Sequence, residues 1–150
     1  MKTLRRVITA ITALVIGSVG IAVGASEPAW AVTCSGYGCD NVDPIASGCS
    51  AGAYTVTSGR VYDFNHGNQY LGIVELRYSP ACGTNWTRVT SAIGVTYLQA
   101  IVQRFYVSPV YFNDQGNYTS VWSNMVYAPS TKACSAGTIR SITTGGICST

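Results

Sequence analysis

The chain has 150 residues, of which 47% are hydrophobic and only 10% are charged, and its formal net charge is +3. This small positive excess argues against a nucleic-acid-binding protein, which needs a clustered stripe of lysines and arginines. It also argues against a cationic membrane-lytic peptide. Because so few residues are charged, the polar surface must consist mainly of Ser, Thr, Asn, Gln and Tyr side chains.

The N-terminus has the organisation of a secretory signal peptide. Three basic residues among the first six precede an uncharged run, residues 7–25, and an Ala-Trp-Ala segment ending at Ala31 offers a small-x-small cleavage site. We therefore predict that residues 1–31 are a cleaved signal peptide, with a weaker alternative site at 23–25. An uncleaved membrane anchor is the alternative interpretation, because the apolar run is nearly long enough to span a bilayer. We expect no stable membrane insertion after cleavage.

Cleavage after Ala31 removes 31 of the 150 residues and leaves 119, which is the size of one domain. This mature chain, residues 32–150, keeps six basic and five acidic residues, all six cysteines and all ten tyrosines. Low charge and abundant tyrosine suit an extracellular β protein. We therefore predict a secreted protein with a single disulfide-linked β domain.

The six cysteines predict three disulfides, because an exported chain with an even number of cysteines is usually fully paired. Six cysteines allow 15 pairings, which the sequence alone leaves open. Nearness along the chain favours the pairs Cys34–Cys39, Cys49–Cys82 and Cys134–Cys148. A zinc site is the alternative, but the paired C-x₂-C spacing of zinc ribbons does not occur. We predict no metal and no cofactor.

The first half of the mature chain reads as an irregular cap followed by short strands. Residues 34–50 are rich in Gly, Ser and Asp, which predicts a stapled loop region. A strand beginning at Tyr54 is expected to stop at Ser58-Gly59, a second is expected over residues 60–64, and residues 65–68 form a turn.

The clearest strand is predicted over residues 73–78, where every second residue from Val74 is apolar or aromatic. The intervening Glu75 and Arg77 are expected to pair on the solvent face. A further strand is expected over residues 86–90 after a proline-containing turn.

The second half is less clear in its secondary structure. Residues 93–107 have apolar side chains at helical spacing, but their β-branched and aromatic content favours a strand. Residues 113–117 predict a hairpin turn between strands 107–112 and 118–127, and a last strand is expected over 138–143. This series of short strands predicts an all-β sandwich or barrel.

Two stretches carry a family resemblance. Residues 74–89 read VELRYSPACGTNWTRV, with Asp43-Pro44 before them, and residues 122–129 read WSNMVYAP before Cys134. Together they resemble the YjfA-like family of exported bacterial proteins, a domain of unknown function, over nearly the whole mature chain. The resemblance implies export in Gram-positive bacteria. It implies no reaction and transfers no catalytic residue.

The residue types of common active sites are scarce. The one histidine, His66, lies in a predicted turn, where a solvated side chain is a simpler interpretation than membership of a triad. The mature acids, from which a glycosidase would need two facing each other, occur mostly at turn positions: Asp40, Asp43, Asp63, Glu75 and Asp114. Asp40 to Asp43 could offer oxygens to calcium, but without EF-hand spacing a capping role is favoured.

The aromatic side chains are the remaining candidates. Tyrosine and tryptophan favour half-exposed surfaces, so Tyr37, Trp86, Tyr118 and Trp122 are predicted to contribute to a stacking face. We therefore expect a non-enzymatic binding module for cell-wall glycan, another extracellular polymer or an extracellular protein. The alternatives are a small secreted hydrolase and a protease inhibitor that presents the loop at residues 35–38.

Overall fold

The computed structural model of the protein describes residues 31–106 and 110–149. The predicted signal peptide, apart from Ala31, lies outside these residues. The described chain forms nine strands and no α-helix, and the predicted all-β class is confirmed. The strands are β1 Tyr54–Asp63, β2 Gln69–Ser79, β3 Thr84–Ser91, β4 Thr96–Arg104, β5 Val110–Tyr118, β6 Ser120–Trp122, β7 Val126–Tyr127, β8 Ala133–Ile139 and β9 Ile142–Cys148.

The strands form two antiparallel sheets. Sheet A has the order β1-β2-β3-β6, with β7 also paired to β3, and sheet B has the order β5-β4-β8-β9. In sheet A, β2 is the long central strand and pairs with β1 and β3 along most of its length. In sheet B, β4 pairs with β5 and β8 over seven or more residues, so residues 96–104 are a strand, as predicted.

The apolar core lies between the two sheets. One cluster joins Val61, Leu71, Val74, Val89 and Val121 of sheet A to Leu98, Ala100 and Ile139 of sheet B. A second cluster joins Leu76 and Val126 of sheet A to Val102 and Ala133 of sheet B. The two sheets therefore pack face to face as a sandwich, because each contributes alternate residues to one shared core.

An irregular cap, residues 34–53, covers part of the outer face of sheet A. It begins with a short 3₁₀ turn, Gly36–Cys39, and is held by Cys34–Cys39 within the cap and by Cys49–Cys82 to the β2–β3 turn. The third disulfide, Cys134–Cys148, joins β8 to β9. The pairing favoured by nearness in sequence is confirmed.

The predicted break of the first strand at Ser58-Gly59 is wrong, because β1 continues through both residues to Asp63. Gly59 faces the other sheet, where a β-carbon would lie only 2.7 Å from Cδ1 of Ile147 in β9. Glycine stands at this point because β9 approaches β1 closely, and the residue does not mark a turn.

The predicted hairpin at residues 113–117 is also wrong, because these residues form the middle of β5. They are rich in amides and glycine because β5 is an edge strand, which pairs only with β4 among the strands of residues 31–106 and 110–149. The segment after it divides into β6 and β7 and does not form one long strand.

The predicted last strand, residues 138–143, contains a tight turn. Ile139 pairs with Ile142, and Arg140 adopts the left-handed conformation at φ = 62°, so β8 ends and β9 begins within this range. Gly145 and Gly146 lie inside β9, opposite the irregularity in β8 between Ser135 and Gly137. The two glycines accompany a bulge and do not end the sheet.

Candidate functional site

The outer face of sheet A carries a charged network. Glu75 is nearly buried and accepts hydrogen bonds from Arg88 Nε at 2.7 Å and from Thr55 Oγ1 at 2.7 Å. Arg77 donates to Thr55 Oγ1 at 2.6 Å and to the carbonyl oxygen of Ala53 in the cap at 2.7 Å. The predicted Glu75–Arg77 surface pair is therefore wrong, since Glu75 pairs across the sheet with Arg88.

Burial, charge and hydrogen bonding together determine the ionisation of Glu75 and Arg88. Burial opposes ionisation of Glu75, but the hydrogen bonds from Arg88 and Thr55 outweigh it, so the pKa of the Glu75 carboxyl is lowered. The hydrogen bond to Glu75 raises the pKa of the Arg88 guanidinium. Both groups therefore stay charged at neutral pH and hold each other in place.

The two predicted tryptophans belong to the interior of this side of the molecule. Trp86 is 4% exposed and packs under the cap with Met125 and the Cys49–Cys82 disulfide, so its ring is closed to an external ligand. Its assignment to a stacking face is corrected accordingly. Trp122 is partly buried in the same cluster and donates its indole N–H to Asp43 at 3.0 Å.

The two predicted tyrosines are exposed, but they are placed differently. The ring of Tyr37 packs edge-on against Tyr127 at 5.1 Å between centroids, and the Arg104 guanidinium lies 4.9 Å from its centre. Tyr118 lines a recess of about 250 Å³ together with Asp114 and Trp122. Of the predicted set, the structure therefore brings Tyr118 and Trp122 together.

His66 lies at the tip of the β1–β2 connection. Its Nδ1 is 2.7 Å from Asp63 Oδ2, and its side chain is 73% exposed. Asp63 also accepts the backbone N–H of Asn65, and these contacts lower the pKa of its carboxyl although burial opposes this. The arrangement caps the turn, as the solvated-turn interpretation of His66 predicts.

The other candidate ligand groups have structural partners. Asp40 accepts hydrogen bonds from the buried Arg104 at 2.8 Å and from the backbone N–H of Tyr127, so it ties the cap to the sandwich. Asp43 accepts the N–H groups of Ile45 and Ala46. Burial opposes the ionisation of Asp43, but these bonds and the Trp122 indole lower its pKa. The Asp43 carboxylate therefore caps a local turn, as the capping interpretation predicts, whereas Asp40 binds residues far along the chain and does not cap a turn.

Three sulfur atoms of the cap lie within 4.8 Å of one another, those of Cys34, Cys39 and Cys49. Each of them is joined in a disulfide, so none is a thiolate that could bind zinc.

The outer face of sheet B is built differently. Leu98, Ala100 and Val102 of β4 are fully buried against sheet A, so the residues that alternate with them point away from the core. Their cross-strand partners in β5 share that face. We call this surface the amide face, and it consists of Tyr97, Gln99, Ile101 and Gln103 in β4 and Tyr111, Asn113, Gln115 and Asn117 in β5.

A row of hydrogen bonds crosses the amide face and continues over the whole sheet. Gln115 Oε1 in β5 accepts from Tyr97 Oη at 2.9 Å and from Gln99 Nε2 at 3.0 Å. Gln99 Oε1 accepts from Thr138 Oγ1 of β8, which lies 2.9 Å from Thr143 Oγ1 of β9. The polar groups of the face are thus held in fixed directions before any ligand arrives.

A groove of about 280 Å³ continues the amide face towards the end of β4. Ile101, Gln103 and Ala136 line it together with Phe105 and Tyr106. Tyr106 is 77% exposed and its backbone is left-handed at φ = 72°, a conformation that costs a non-glycine residue about 1–2 kcal/mol. An exposed aromatic ring in this conformation is a feature that clusters at functional sites.

No residue of the amide face is charged. Lys132 lies just before β8 and Arg140 in the turn after it, and Arg104 at the end of β4 is buried. Asp114 of β5 pairs with Ala100 and therefore belongs to the opposite face. Amides and tyrosine hydroxyls both donate and accept hydrogen bonds, so the face suits a ligand rich in uncharged hydroxyl or amide groups.

The amide face does not follow from the sequence patterns described above. The alternation of Tyr97, Gln99 and Gln103 with apolar residues was present in the sequence, but the helical spacing of neighbouring apolar residues obscured it. The amides of β5 were interpreted as a turn. Such a face can be found by looking for two strands in which polar residues alternate with apolar ones and pair in register.

Comparisons with known proteins give a family without an activity. The family model described as "Protein of unknown function (DUF2690)" matches residues 37–137, which include all of the cap except residues 34–36, the whole of sheet A and most of sheet B. Neither the curated proteins nor the solved structures include a match to the chain. Within residues 31–106 and 110–149, no helix is both long and apolar enough to cross a bilayer. The chain belongs to the DUF2690 family of proteins of unknown function.

Proposed function

We propose that the protein is a non-enzymatic module that binds an extracellular polysaccharide through the amide face. The observation that carries the proposal is the prearranged row of uncharged donors and acceptors formed by Tyr97, Gln99 and Gln115. A polymer of mainly neutral sugars offers many hydroxyl groups and little charge, so it matches this surface better than a nucleic acid or an acidic protein does.

Aromatic rings supply the second part of the interaction. Tyr111 is 67% exposed beside Gln103, and Tyr106 rises from the end of the groove. The apolar C–H faces of sugar rings pack on such side chains, while the hydroxyl end of tyrosine stays wet. The nine residues of β4 extend about 3.3 Å each, so the face has room for several sugar units in a row.

The proposal includes the cellular setting. Residues 1–31 serve as a signal peptide, the protein acts outside the cell, and the chain is a YjfA-like member of its family. Three disulfides support an oxidising compartment, because such bonds persist mainly in exported proteins. The intact mass of the secreted protein tests this part, and we expect a chain that begins near Val32 with no free thiol.

Binding is tested with insoluble cellulose, chitin and peptidoglycan, followed by calorimetry with hexasaccharides of glucose and of N-acetylglucosamine. We expect the wild type to be retained on at least one of these polymers. In Tyr97→Ala and Tyr111→Ala, the affinity should fall at least tenfold, or about 1.4 kcal/mol.

Matched controls are Tyr37→Ala and Tyr118→Ala, which remove rings of intermediate exposure, between those of Tyr97 and Tyr111, that lie outside the amide face. These variants should bind as the wild type does. Equal losses in all four variants, or no retention of the wild type on any polymer, would contradict the proposal.

A further inference from the structure

A second concave surface lies at one end of the sandwich. It is a cleft of about 430 Å³ between the edge of sheet A and the loop that joins β7 to β8. This volume falls within the range of about 300–1,000 Å³ that is typical of small-ligand sites. We call it the end cleft, and the lining residues used below are Tyr54, Tyr78, Asn85, Thr131 and Lys132.

Two tyrosines form the aromatic wall of the end cleft. Tyr54 at the start of β1 pairs with Tyr78 at the end of β2, and their rings meet edge to face with centroids 5.7 Å apart. Asn85 is buried behind them, and its Nδ2 donates to the carbonyl oxygen of Arg77 at 3.2 Å. The wall is therefore built from side chains that contacts within sheet A already hold.

Lys132 supplies the charge of the end cleft. Among the described residues that line this cleft it is the one charged side chain, and none of those residues is acidic. Within the described part of the chain its ammonium group has no ion-pair partner. An exposed ammonium with this freedom attracts an anionic group, such as a carboxylate, from a ligand.

Lys132 also lines the groove at the end of the amide face, next to Phe105 and Tyr106. The two concave surfaces therefore meet at this one side chain. A polymer lying along the amide face would reach Lys132 at the end of β4 and could place its next unit beside the Tyr54–Tyr78 pair.

We infer that the end cleft binds a carboxylate-bearing sugar unit of the polysaccharide that lies on the amide face. This inference rests on the proposed function and adds the substrate class, a glycan of mainly neutral sugars that also carries an acidic sugar unit. The Lys132 ammonium contacts the carboxylate, and the Tyr54–Tyr78 pair packs against the sugar ring.

The first test uses monosaccharides and the protein expressed from the full reading frame. Tyrosine ring signals are followed by NMR during titration with methyl glucuronide and with methyl glucoside, which differ only in the carboxylate. We expect methyl glucuronide to half-saturate the shifts of the Tyr54 and Tyr78 ring signals at a concentration at least fivefold lower than methyl glucoside requires. Lys132→Gln should remove this preference, whereas Lys132→Arg should keep it within about twofold. Equal responses to both sugars, or an unchanged preference in Lys132→Gln, would overturn the inference.

The second test separates this inference from the proposed function. A neutral glucose hexasaccharide is compared with the same oligomer ending in a glucuronate unit. We expect the acidic oligomer to bind at least fivefold more tightly, and Lys132→Gln to remove only that gain. If Tyr97→Ala binds neither oligomer, but its Tyr54 and Tyr78 signals still shift with methyl glucuronide, the result would support both the amide face and the end cleft as binding sites. If neither wild-type oligomer binds although the glucuronide still shifts Tyr54, the proposed function and the polymer part of the inference both fail. If both oligomers bind equally, the inference alone fails.

Discussion

The outer face of sheet A carries Trp86, Glu75 and Arg88, whereas the outer face of sheet B carries Tyr97, Gln99 and Gln103. The cap covers the tryptophan, and a cross-strand ion pair engages the two charges beside it. On sheet B, uncharged side chains bond to one another along the surface, and Tyr97 and Tyr111 are exposed to solvent. One outer face is thus covered and contributes to stability, and the other has exposed side chains, as the proposed binding requires.

The largest expected difference between the faces is in stability. Trp86→Ala should lower the free energy of unfolding by about 3–5 kcal/mol, because it leaves a cavity beneath the cap. Tyr111→Ala, on the open face, should change it by no more than about 0.5 kcal/mol. Urea unfolding followed by circular dichroism measures both. Similar losses in the two variants would remove the distinction between a covered and an open face.

The charged network should make a smaller contribution. In Arg88→Gln, Glu75 loses its main partner, and we expect a loss of about 1 kcal/mol, because the Arg88 side chain is 41% exposed and solvent screens the pair. Arg140→Gln is the matched control, since it removes an exposed arginine from the β8–β9 turn and should change stability little.

The same pair predicts a dependence on pH. The pKa of Glu75 is lower in the folded protein than in the unfolded chain, so its stabilisation is present above the ordinary glutamate pKa and is lost as the pH falls through the folded value. Unfolding by urea between pH 7 and pH 3 should therefore show an acid loss that is smaller in Glu75→Gln. An identical acid loss in that variant would show that Glu75 does not contribute to it.

These energetic contrasts also explain which features the sequence could predict. The alternation around Val74 and Leu76 predicted β2, because one side of that strand packs in the apolar core and the other carries the charged Glu75 and Arg77. The burial of Trp86 depends on a loop, stapled at Cys49–Cys82, that crosses the sheet from a distant part of the chain. The residues next to Trp86 in the sequence do not indicate that this loop covers its ring.

The candidate site was hidden for a related reason. Residues 113–117 have the composition of a turn, and only their pairing with β4 identifies them as an edge strand. The amide face exists because Gln115 and Gln99 lie in register. Register between two strands is a long-range property that neither strand specifies alone.

Tyr106 offers a way to separate binding from stability on the open face. Tyr106→Gly removes the cost of a left-handed tyrosine, about 1–2 kcal/mol, but adds the backbone entropy of glycine, about 0.5–1 kcal/mol. We expect a gain in stability of no more than about 1 kcal/mol together with weaker polysaccharide binding. A variant that loses both stability and binding would show that Tyr106 is needed for the fold.

The smallest structural change is a single charge placed on the amide face. Gln103→Glu keeps the shape of the side chain, so stability should stay within about 0.5 kcal/mol of the wild type. Affinity for a neutral hexasaccharide should fall about fivefold, because the carboxylate must give up water and can no longer donate a hydrogen bond. Gln103→Asn is the uncharged control. Unchanged affinity in Gln103→Glu would show that the lack of charge is not used for binding.

The most direct measurement is an NMR titration of the protein with the neutral hexasaccharide, because one spectrum reports on both faces. The account predicts that the side-chain amide signals of Gln99, Gln103 and Gln115 shift in a saturable manner, while the indole N–H signals of Trp86 and Trp122 stay in place. Shifts confined to the indoles, or no saturable shift of the amides, would contradict the assignment of binding to the outer face of sheet B.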